Sequence, residues 1–479
     1  MLFNSFVFLL FLLIVLPLYY ALPHRYQNRM LLVASYIFYG WWDWRFLSLL
    51  AISTLVDYSL GLLLGGAANQ RTRRCLLAAS LVVNLGMLAV FKYFNFFIDS
   101  AAAFLEFAGL NANVPLLTVV LPVGISFYTF QSLAYVIDVY RGTQQPARSL
   151  VDFALYVSYF PQLVAGPIER ASRLLPQLQK QRVVTRDQWN SGLALMLCGY
   201  VKKVAIADAI APYADPVFSH PHVYSSAALW VAMYSFAIQI YCDFSGYTDI
   251  ARGVSRLMGI ELMENFRQPY LAPTITDFWR RWHISLSEWL RDYLYIPLGG
   301  SRHGTARQYR NLMVTMLLGG LWHGASWNYV LWGGLHGVYL TIHKIIAGKT
   351  PRETTVPHFP SLASIGSAWR ILVTFHLVSF AWILFRCADL TTALDYLGGL
   401  APALLDVEGS GKLLPGASAM LIYCAFVVIG LDMAFQWSRR SIIFARMPWW
   451  SWGILCAAGT LAISYSRGDS GEAFIYFQF

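Results

Sequence analysis

The chain has 479 residues, of which 57% are hydrophobic, 16% aromatic and only 13% charged. Soluble domains carry roughly a quarter charged residues, so this composition excludes an ordinary soluble domain and predicts a polytopic membrane protein. The formal net charge is +10, but the basic residues gather in short loops between apolar stretches. The positive-inside rule explains that pattern more simply than a nucleic-acid-binding arm does.

Apolar stretches follow one another along the whole chain. They lie at 5–22, 30–64, 75–98, 115–140, 190–212, 225–250, 311–343, 366–386, 416–436 and 447–465. At about twenty residues per crossing, with the two longest stretches split, they predict roughly eleven or twelve transmembrane helices. Residues 1–22 lack the basic start and the small-residue cleavage site of a secretory signal, so we expect them to form the first span.

The remaining features of the chain predict one all-α, membrane-embedded domain over residues 1–479. There is no internal repeat, and no linker is long enough to separate two folded units. The six cysteines show no CxxC spacing, so the sequence predicts neither a zinc site nor a disulfide framework. Tryptophan clusters at 41–45 (WWDWR) and 447–452 (PWWSWG) are typical of helix ends at the membrane interface.

The basic loops define an orientation. They lie at 71–74, 170–186, 302–310, 344–352 and 439–446, and the positive-inside rule assigns all of them to the cytoplasm. The other connections are poor in lysine and arginine. The resulting alternation places the N-terminus on the outer side of the membrane.

Residues 265–300 (NFRQPYLAPTITDFWRRWHISLSEWLRDYLYIPLGG) carry too many charges to face lipid. Thr274 with Asp277 fits a capping box and Pro297 ends the segment, so we predict a helix of about six turns between them. Its polar stripe would contain Arg280, His283, Ser287 and Arg291. Either the helix is buried in protein with this stripe along a cavity, or it rests on the lipid headgroups with its arginines paired to carboxylates.

The stretch GGLWHGASWNY (319–329) places His323 among glycines and aromatic residues. If Arg310 and Lys344 are both cytoplasmic, the segment between them must enter the membrane and return. The hairpin would break at its glycines, Gly319, Gly320 and Gly324. At 1.5 Å per residue from Arg310, His323 would lie roughly 20 Å deep, beyond the midplane.

An imidazole at that depth suits general-base chemistry. It titrates near neutral pH, and burial favours its neutral, proton-accepting form. The alternative is that His323 only bonds a carbonyl freed by the helix break, although ionisable residues inside a membrane are functional by default. We expect His336 and His343, farther along the hairpin, to be packing or interfacial residues.

Two stretches carry a specific resemblance, DFWRRWHISLSEWLRDYLYIPLGG (277–300) and LLGGLWHGASWNYVLWGGLHG (317–337). They resemble the signature of the membrane-bound O-acyltransferase family, in the bacterial branch that includes the alginate O-acetylation protein and the D-alanine transfer protein of teichoic acids. Similar stretches occur at 91–97, 121–142, 164–170, 241–253, 263–270 and 474–479. The likeness covers nearly the whole chain, with a signature core at about 121–343.

The resemblance implies a ring of tilted helices around a central tunnel, with re-entrant segments. It maps the family's catalytic histidine onto His323 and its second polar position onto His283. Many eukaryotic members carry asparagine at the second position, and the histidine of this chain fits the bacterial branch. No metal is implied.

The chemistry that follows from the resemblance is acetyl transfer from cytoplasmic acetyl-CoA to a hydroxyl group. His323 would take the proton from the hydroxyl, and His283 would orient the acceptor or donate to the developing oxyanion. Basic residues are candidates to bind the CoA phosphates, with helix-end anchoring and ion pairing as the alternative role. They are Arg280, Arg281, Arg291, Lys202 and Lys203.

The bacterial branch further implies a place in the inner membrane, with a periplasmic N-terminus. The acetyl group would pass toward an exopolysaccharide of the alginate or cellulose type, through a periplasmic acetyltransferase or SGNH-hydrolase-like partner beside the polysaccharide synthesis machinery. Two alternatives stay open. One is D-alanyl-type transfer from a carrier-protein thioester, and the other is a transporter of an acylated small molecule with the broken hairpin as its moving element.

Overall fold

The computed structural model describes residues 1–110, 116–117, 120–347, 365–401, 412, 414–441 and 474–475, with the backbone alone at 365, 367 and 433–441. Helices dominate these residues. Within them the only β-type pairing is an isolated bridge between Tyr224 and Lys412. The chain divides into two compact units, residues 1–196 with 248–263, and residues 197–247 with 264–479.

The first unit contains the N-terminal helices. They are α1 (Phe6–Ala21), α2 (His24–Gly40), α3 (Leu47–Gly66), α4 (Gln70–Leu88), α5 (Phe94–Phe107), α6 (Ile125–Arg141), α7 (Leu150–Ser158), α8 (Ala171–Gln179) and most of α9 (Arg186–Tyr200). A buried carboxylate on α3, Asp57, accepts hydrogen bonds from Ser80 at 2.6 Å and Asn84 at 2.8 Å on α4, and from Ser132 on α6. Buried polar groups need such partners, so this network fixes α3, α4 and α6 together.

The second unit contains the later helices. They are α10 (Asp208–Ser219), most of α11 (Ser226–Leu257), α12 (Ile275–Arg281), α13 (Ile284–Leu290), α14 (Thr305–His323), α15 (Trp327–Ala347), α16 (Ile365–Arg386), α17 (Leu390–Leu400) and α18 (Ala417–Ser441). π-Helical turns follow α9 at Val201–Ala207 and α13 at Arg291–Tyr295. The core of this unit lies around α11, whose most apolar window is 78% buried.

The helices confirm an all-α polytopic membrane protein. Among the described residues, four helices are long and apolar enough to cross a membrane, at Trp44–Gly66, Gln70–Phe107, Ser226–Leu257 and Ala368–Arg386. Phe6–Ala21 and Ala417–Asp432 are shorter apolar helices, and the stretches at 30–64 and 190–212 are divided into shorter or broken helices. The predicted span at 447–465, its tryptophan cluster and most of the last basic loop lie outside the described residues. The tunnel, the ring and the orientation stay predictions.

The predicted hairpin is present in the second unit. Helix α14 ends at His323 and α15 begins at Trp327, so the break falls at 324–326. Gly319 and Gly320 were expected at the break, and that expectation is wrong because both lie inside α14. A Cβ at Gly320 would meet the backbone of Tyr329, and one at Gly333 would meet the backbone of Met316. These two glycines let α14 and α15 pack backbone to backbone.

Replacing Gly320 with alanine is therefore expected to destabilise the hairpin, since overpacking typically costs about 1–3 kcal/mol and a backbone yields less than a side chain. The neighbouring Gly319 is the matched control, because its added Cβ would approach only the flexible Cδ1 of Leu290, at 3.1 Å. Thermal denaturation of the detergent-solubilised protein should show a lower midpoint for Gly320→Ala and little change for Gly319→Ala. Equal midpoints for the two variants would contradict the packing role.

The prediction of one continuous helix of six turns at 274–297 is wrong. Thr274 does cap the N-terminus of α12 by accepting the backbone N–H of Asp277 at 3.1 Å. That helix ends at Arg281, however, and α13 starts only at Ile284. Between them His283 takes the left-handed conformation (φ 41°, ψ 56°). The expected polar stripe therefore does not lie along one helix.

The break has a physical cause in the neighbouring segment. The carbonyl oxygen of Asn265 accepts the N–H of Ile284 at 2.9 Å, and the carbonyl oxygen of Arg281 accepts the N–H of Arg267 at 2.9 Å. The side chain of Asn265 also accepts the N–H of Ser285 at 3.1 Å and so caps α13 from another part of the chain. These bonds satisfy the backbone groups that a helix break exposes. They offset a left-handed conformation that costs a non-glycine residue on the order of 1–3 kcal/mol.

Candidate active site

His323 is the last residue of α14, and its side chain is buried against aromatic rings. Its imidazole centroid lies 5.0 Å from that of Trp322, 5.1 Å from that of Trp332 and 5.3 Å from that of Phe385. The extended backbone that follows the helix keeps the imidazole at the edge of the break rather than inside a continuous helix. A helix end and an aromatic enclosure therefore fix its position.

His283 is fully buried, and its hydrogen bonding defines its tautomer. Its Nδ1 lies 3.2 Å from Oδ1 of Asn265. That oxygen also accepts the backbone N–H and the hydroxyl of Ser285, at 3.1 and 2.8 Å, which fixes the orientation of the amide. An amide oxygen can only accept, so Nδ1 of His283 carries the proton. In the neutral imidazole Nε2 is then a hydrogen-bond acceptor.

One ring connects the two predicted site histidines. The indole of Trp322 contacts the imidazole of His283 at 5.9 Å between centroids, and that of His323 at 5.0 Å. The ring of Phe244 on α11 also contacts the imidazole of His283, at 4.8 Å between centroids. The two histidines, 40 positions apart in the chain, therefore belong to one aromatic cluster.

The other two histidines of the hairpin differ from each other. His343 is partly buried and lies 2.9 Å from the hydroxyl of Thr276, as expected for a packing residue. His336 is fully buried, and its Nδ1 accepts the indole N–H of Trp279 at 3.3 Å. Its imidazole contacts Trp332 at 4.9 Å, on the ring that also contacts His323.

The two candidate lysines lie in the π-helical turn at Val201–Ala207, and both are buried. Nζ of Lys203 lies 2.6 Å from Asp243 and 2.8 Å from Asp208, so carboxylates already compensate its charge. Asp243 also accepts the backbone N–H of Ile475 at 2.7 Å. Nζ of Lys202 lies 5.6 Å from the ring centroid of Tyr241. The pairing of Lys203 favours the structural alternative for that residue.

The three candidate arginines have different surroundings. Arg281 is buried and pairs with Asp277 at 2.7 Å, while Arg291 is exposed and pairs with the adjacent Asp292 at 2.7 Å. Arg280 is exposed. Residues 275–290 are mostly buried in spite of the exposed Arg280, which favours a segment enclosed in protein over one resting on headgroups.

This arrangement brings the imidazoles of His283 and His323 against one indole in an aromatic environment. His283 presents an acceptor nitrogen, which suits it to orient a hydroxyl rather than to donate to an oxyanion. The sequence-based reasoning missed Asn265, which sets this tautomer, and Trp322, which both histidines share. It also missed Asp243, although a carboxylate inside a predicted span is itself a signal of an ion pair.

Comparison with known proteins relates this chain to a family of acyl-transferring membrane proteins. A profile of the membrane-bound O-acyltransferase family matches residues 146–385. A probable alginate O-acetylase of Pseudomonas putida is 46% identical over 84% of this chain and 80% of its own length. A peptidoglycan O-acetyltransferase of Helicobacter pylori is 35% identical over 96% of this chain and 93% of its own. A teichoic acid D-alanyltransferase of Bacillus subtilis is 28% identical over 55% of this chain and 68% of its own.

Proposed function

Because the chain belongs to the membrane-bound O-acyltransferase family, we propose that it transfers acetyl groups from acetyl-CoA to a hydroxyl acceptor, with His323 as general base. The O-acyltransferase activity follows from the family and from its O-acetylating relatives. The observation that supports the site is the aromatic cluster in which Trp322 contacts both His323 and His283.

The proposed step is a single acyl transfer. The reacting hydroxyl of the acceptor gives its proton to His323 as its oxygen attacks the thioester carbonyl, while Nε2 of His283 accepts a hydrogen bond from another hydroxyl of the same acceptor and so orients it. The new ester C–O bond forms, the C–S bond breaks, and CoA leaves as a thiolate that His323 can reprotonate. Positioning and proton transfer are the contributions of the protein, and general-base catalysis typically accelerates a reaction by about 10² to 10⁴.

The setting of the reaction is part of the proposal. We place the donor on the cytoplasmic face of the inner membrane, and the N-terminus and the acceptor side in the periplasm. The names of the alginate and peptidoglycan relatives support an extracytoplasmic polysaccharide as the final acceptor. A periplasmic partner would pass the group to an alginate- or cellulose-type polymer. Arg280, exposed on α12, is the preferred basic residue for the CoA phosphates.

The donor separates this proposal from its alternative. The D-alanyltransferase relative supports a carrier-protein thioester as a second candidate, although it matches a smaller share of the chain. Purified wild-type protein should release free CoA from labelled acetyl-CoA and place the label on a hydroxyl acceptor. Release only from an acyl carrier protein would favour the alternative. Movement of label without covalent transfer would identify a transporter.

A further inference from the structure

His336 was expected to be a packing or interfacial residue, but one nitrogen of its buried imidazole has no hydrogen-bond partner among the described residues. The indole N–H of Trp279 can only donate, so Nδ1 of His336, 3.3 Å away, must accept. The neutral imidazole therefore carries its proton on Nε2. Nε2 is buried and has no hydrogen-bond partner among the described residues. Leaving such a donor unsatisfied costs about 1–3 kcal/mol, so an acceptor other than the described residues is expected there.

Two further polar groups are also buried without a hydrogen-bond partner in the described part of the chain. They are Nε1 of Trp332 and the hydroxyl of Ser379. Trp332 contacts Phe385 and Trp382 on α16, and Tyr329 contacts Phe385, so α15 and α16 run antiparallel. His336 lies one turn beyond Trp332, and Ser379 lies one turn before Trp382. The three groups therefore occupy neighbouring levels of the same helix pair.

The surroundings define the kind of acceptor. The rings in contact with His336 are uncharged and aromatic. They are Phe278, Trp279, Trp332 and Tyr339. A phosphate or carboxylate would need a cation in such an environment, whereas a carbonyl oxygen needs only a donor. Trp332 also contacts His323, so both imidazoles lie against the same indole.

We infer that His336, with Trp332 and Ser379, forms the subsite that binds the carbonyl oxygen of the acyl group. This inference rests on the proposed function, because it assumes that His323 is the base and acetyl-CoA the donor. The subsite presents the N–H groups of His336 and Trp332 and the O–H group of Ser379 to the oxygen that the attack by the acceptor makes more negative. His336 therefore binds substrate directly and does not merely position His323.

Two acetyl-CoA analogues test the inference at equilibrium, without turnover. In the first, a methylene replaces the thioester sulfur, which leaves a stable ketone. In the second, the carbonyl is also reduced to methylene. Purified full-length wild-type protein should bind the ketone about three- to tenfold more tightly, as expected for one net hydrogen bond. Equal affinities would overturn the inference alone, whereas binding of neither analogue would overturn the proposed donor as well.

A matched pair of variants assigns the preference to Nε2. His336→Gln keeps an N–H donor near the position of Nε2 but loses the acceptor for Trp279, and it should retain the preference for the ketone. His336→Asn keeps the acceptor for Trp279 but loses the inward donor, and it should bind both analogues equally. The opposite pattern would show a structural role. His343→Asn, on the same helix, is the control and should retain the preference. If His336→Asn does not fold, the wild-type comparison decides alone.

Discussion

Replacing His323 with alanine is expected to lower the rate of acetyl transfer by about 10² to 10⁴, because the variant loses the base that accepts the hydroxyl proton. The protein should still fold, since the imidazole contributes ring contacts at a helix end rather than a buried ion pair. The measurement is the release of CoA from acetyl-CoA in the presence of a hydroxyl acceptor, with purified protein in detergent. Affinity for acetyl-CoA should change much less than the rate.

The control for this variant is His343→Ala. His343 lies in the same hairpin, is only partly buried and bonds Thr276 rather than the aromatic cluster. It should transfer acetyl at nearly the wild-type rate. A similar loss of rate in both variants would point to a general disturbance of the hairpin formed by α14 and α15 and would remove the support for a base at His323.

Replacing Lys203 with methionine is expected to destabilise the second unit by about 3–5 kcal/mol, because it leaves buried carboxylates without their cation. Asp243 is 2% exposed and Asp208 is 12% exposed at the side chain, and both lie within 2.8 Å of Nζ of Lys203. Thermal denaturation in detergent, followed by tryptophan fluorescence, should show a clearly lower midpoint.

Two further variants test whether the loss of stability comes from the buried ion pair or from the removal of any charge. Arg291→Met removes an arginine whose side chain is 52% exposed beside Asp292, and exposed pairs contribute at most about 1 kcal/mol. Its midpoint should stay close to that of the wild type. Adding Asp243→Asn to Lys203→Met should restore part of the lost stability, because the isolated charge is then removed. A double variant less stable than the single one would refute the pairing argument.

Much of the fold could be predicted because the membrane constrains it strongly. Composition alone predicted the all-α polytopic class, and the basic residues on both sides of 311–343 predicted the hairpin that α14 and α15 form. The same reasoning selected His323 as the candidate base, and that role stays a prediction. The inferences about the fold succeeded because they depend on the local sequence and on a single physical rule.

The errors arose where distant segments decide the local structure. Periodicity predicted a continuous helix through His283, but Asn265 and Arg267 form hydrogen bonds with the backbone at the break. Gly320 was predicted to break a helix, whereas the approach of Tyr329 from α15 requires it inside one. The buried ion pair of Lys203 was not predicted, because its partner Asp243 lies 40 residues away in the sequence. No local pattern contains these partners.

The most direct measurement of the central claim is chemical rescue of the His323→Ala variant by imidazole. The substitution leaves a space the size of the lost ring between Trp322, Trp332 and Phe385, so a small base can occupy it. If His323 is the general base, added imidazole should raise the rate of acetyl transfer in the variant in proportion to its neutral form and leave the wild type unchanged. A variant that transfers acetyl at the wild-type rate and does not respond to imidazole would contradict the assignment.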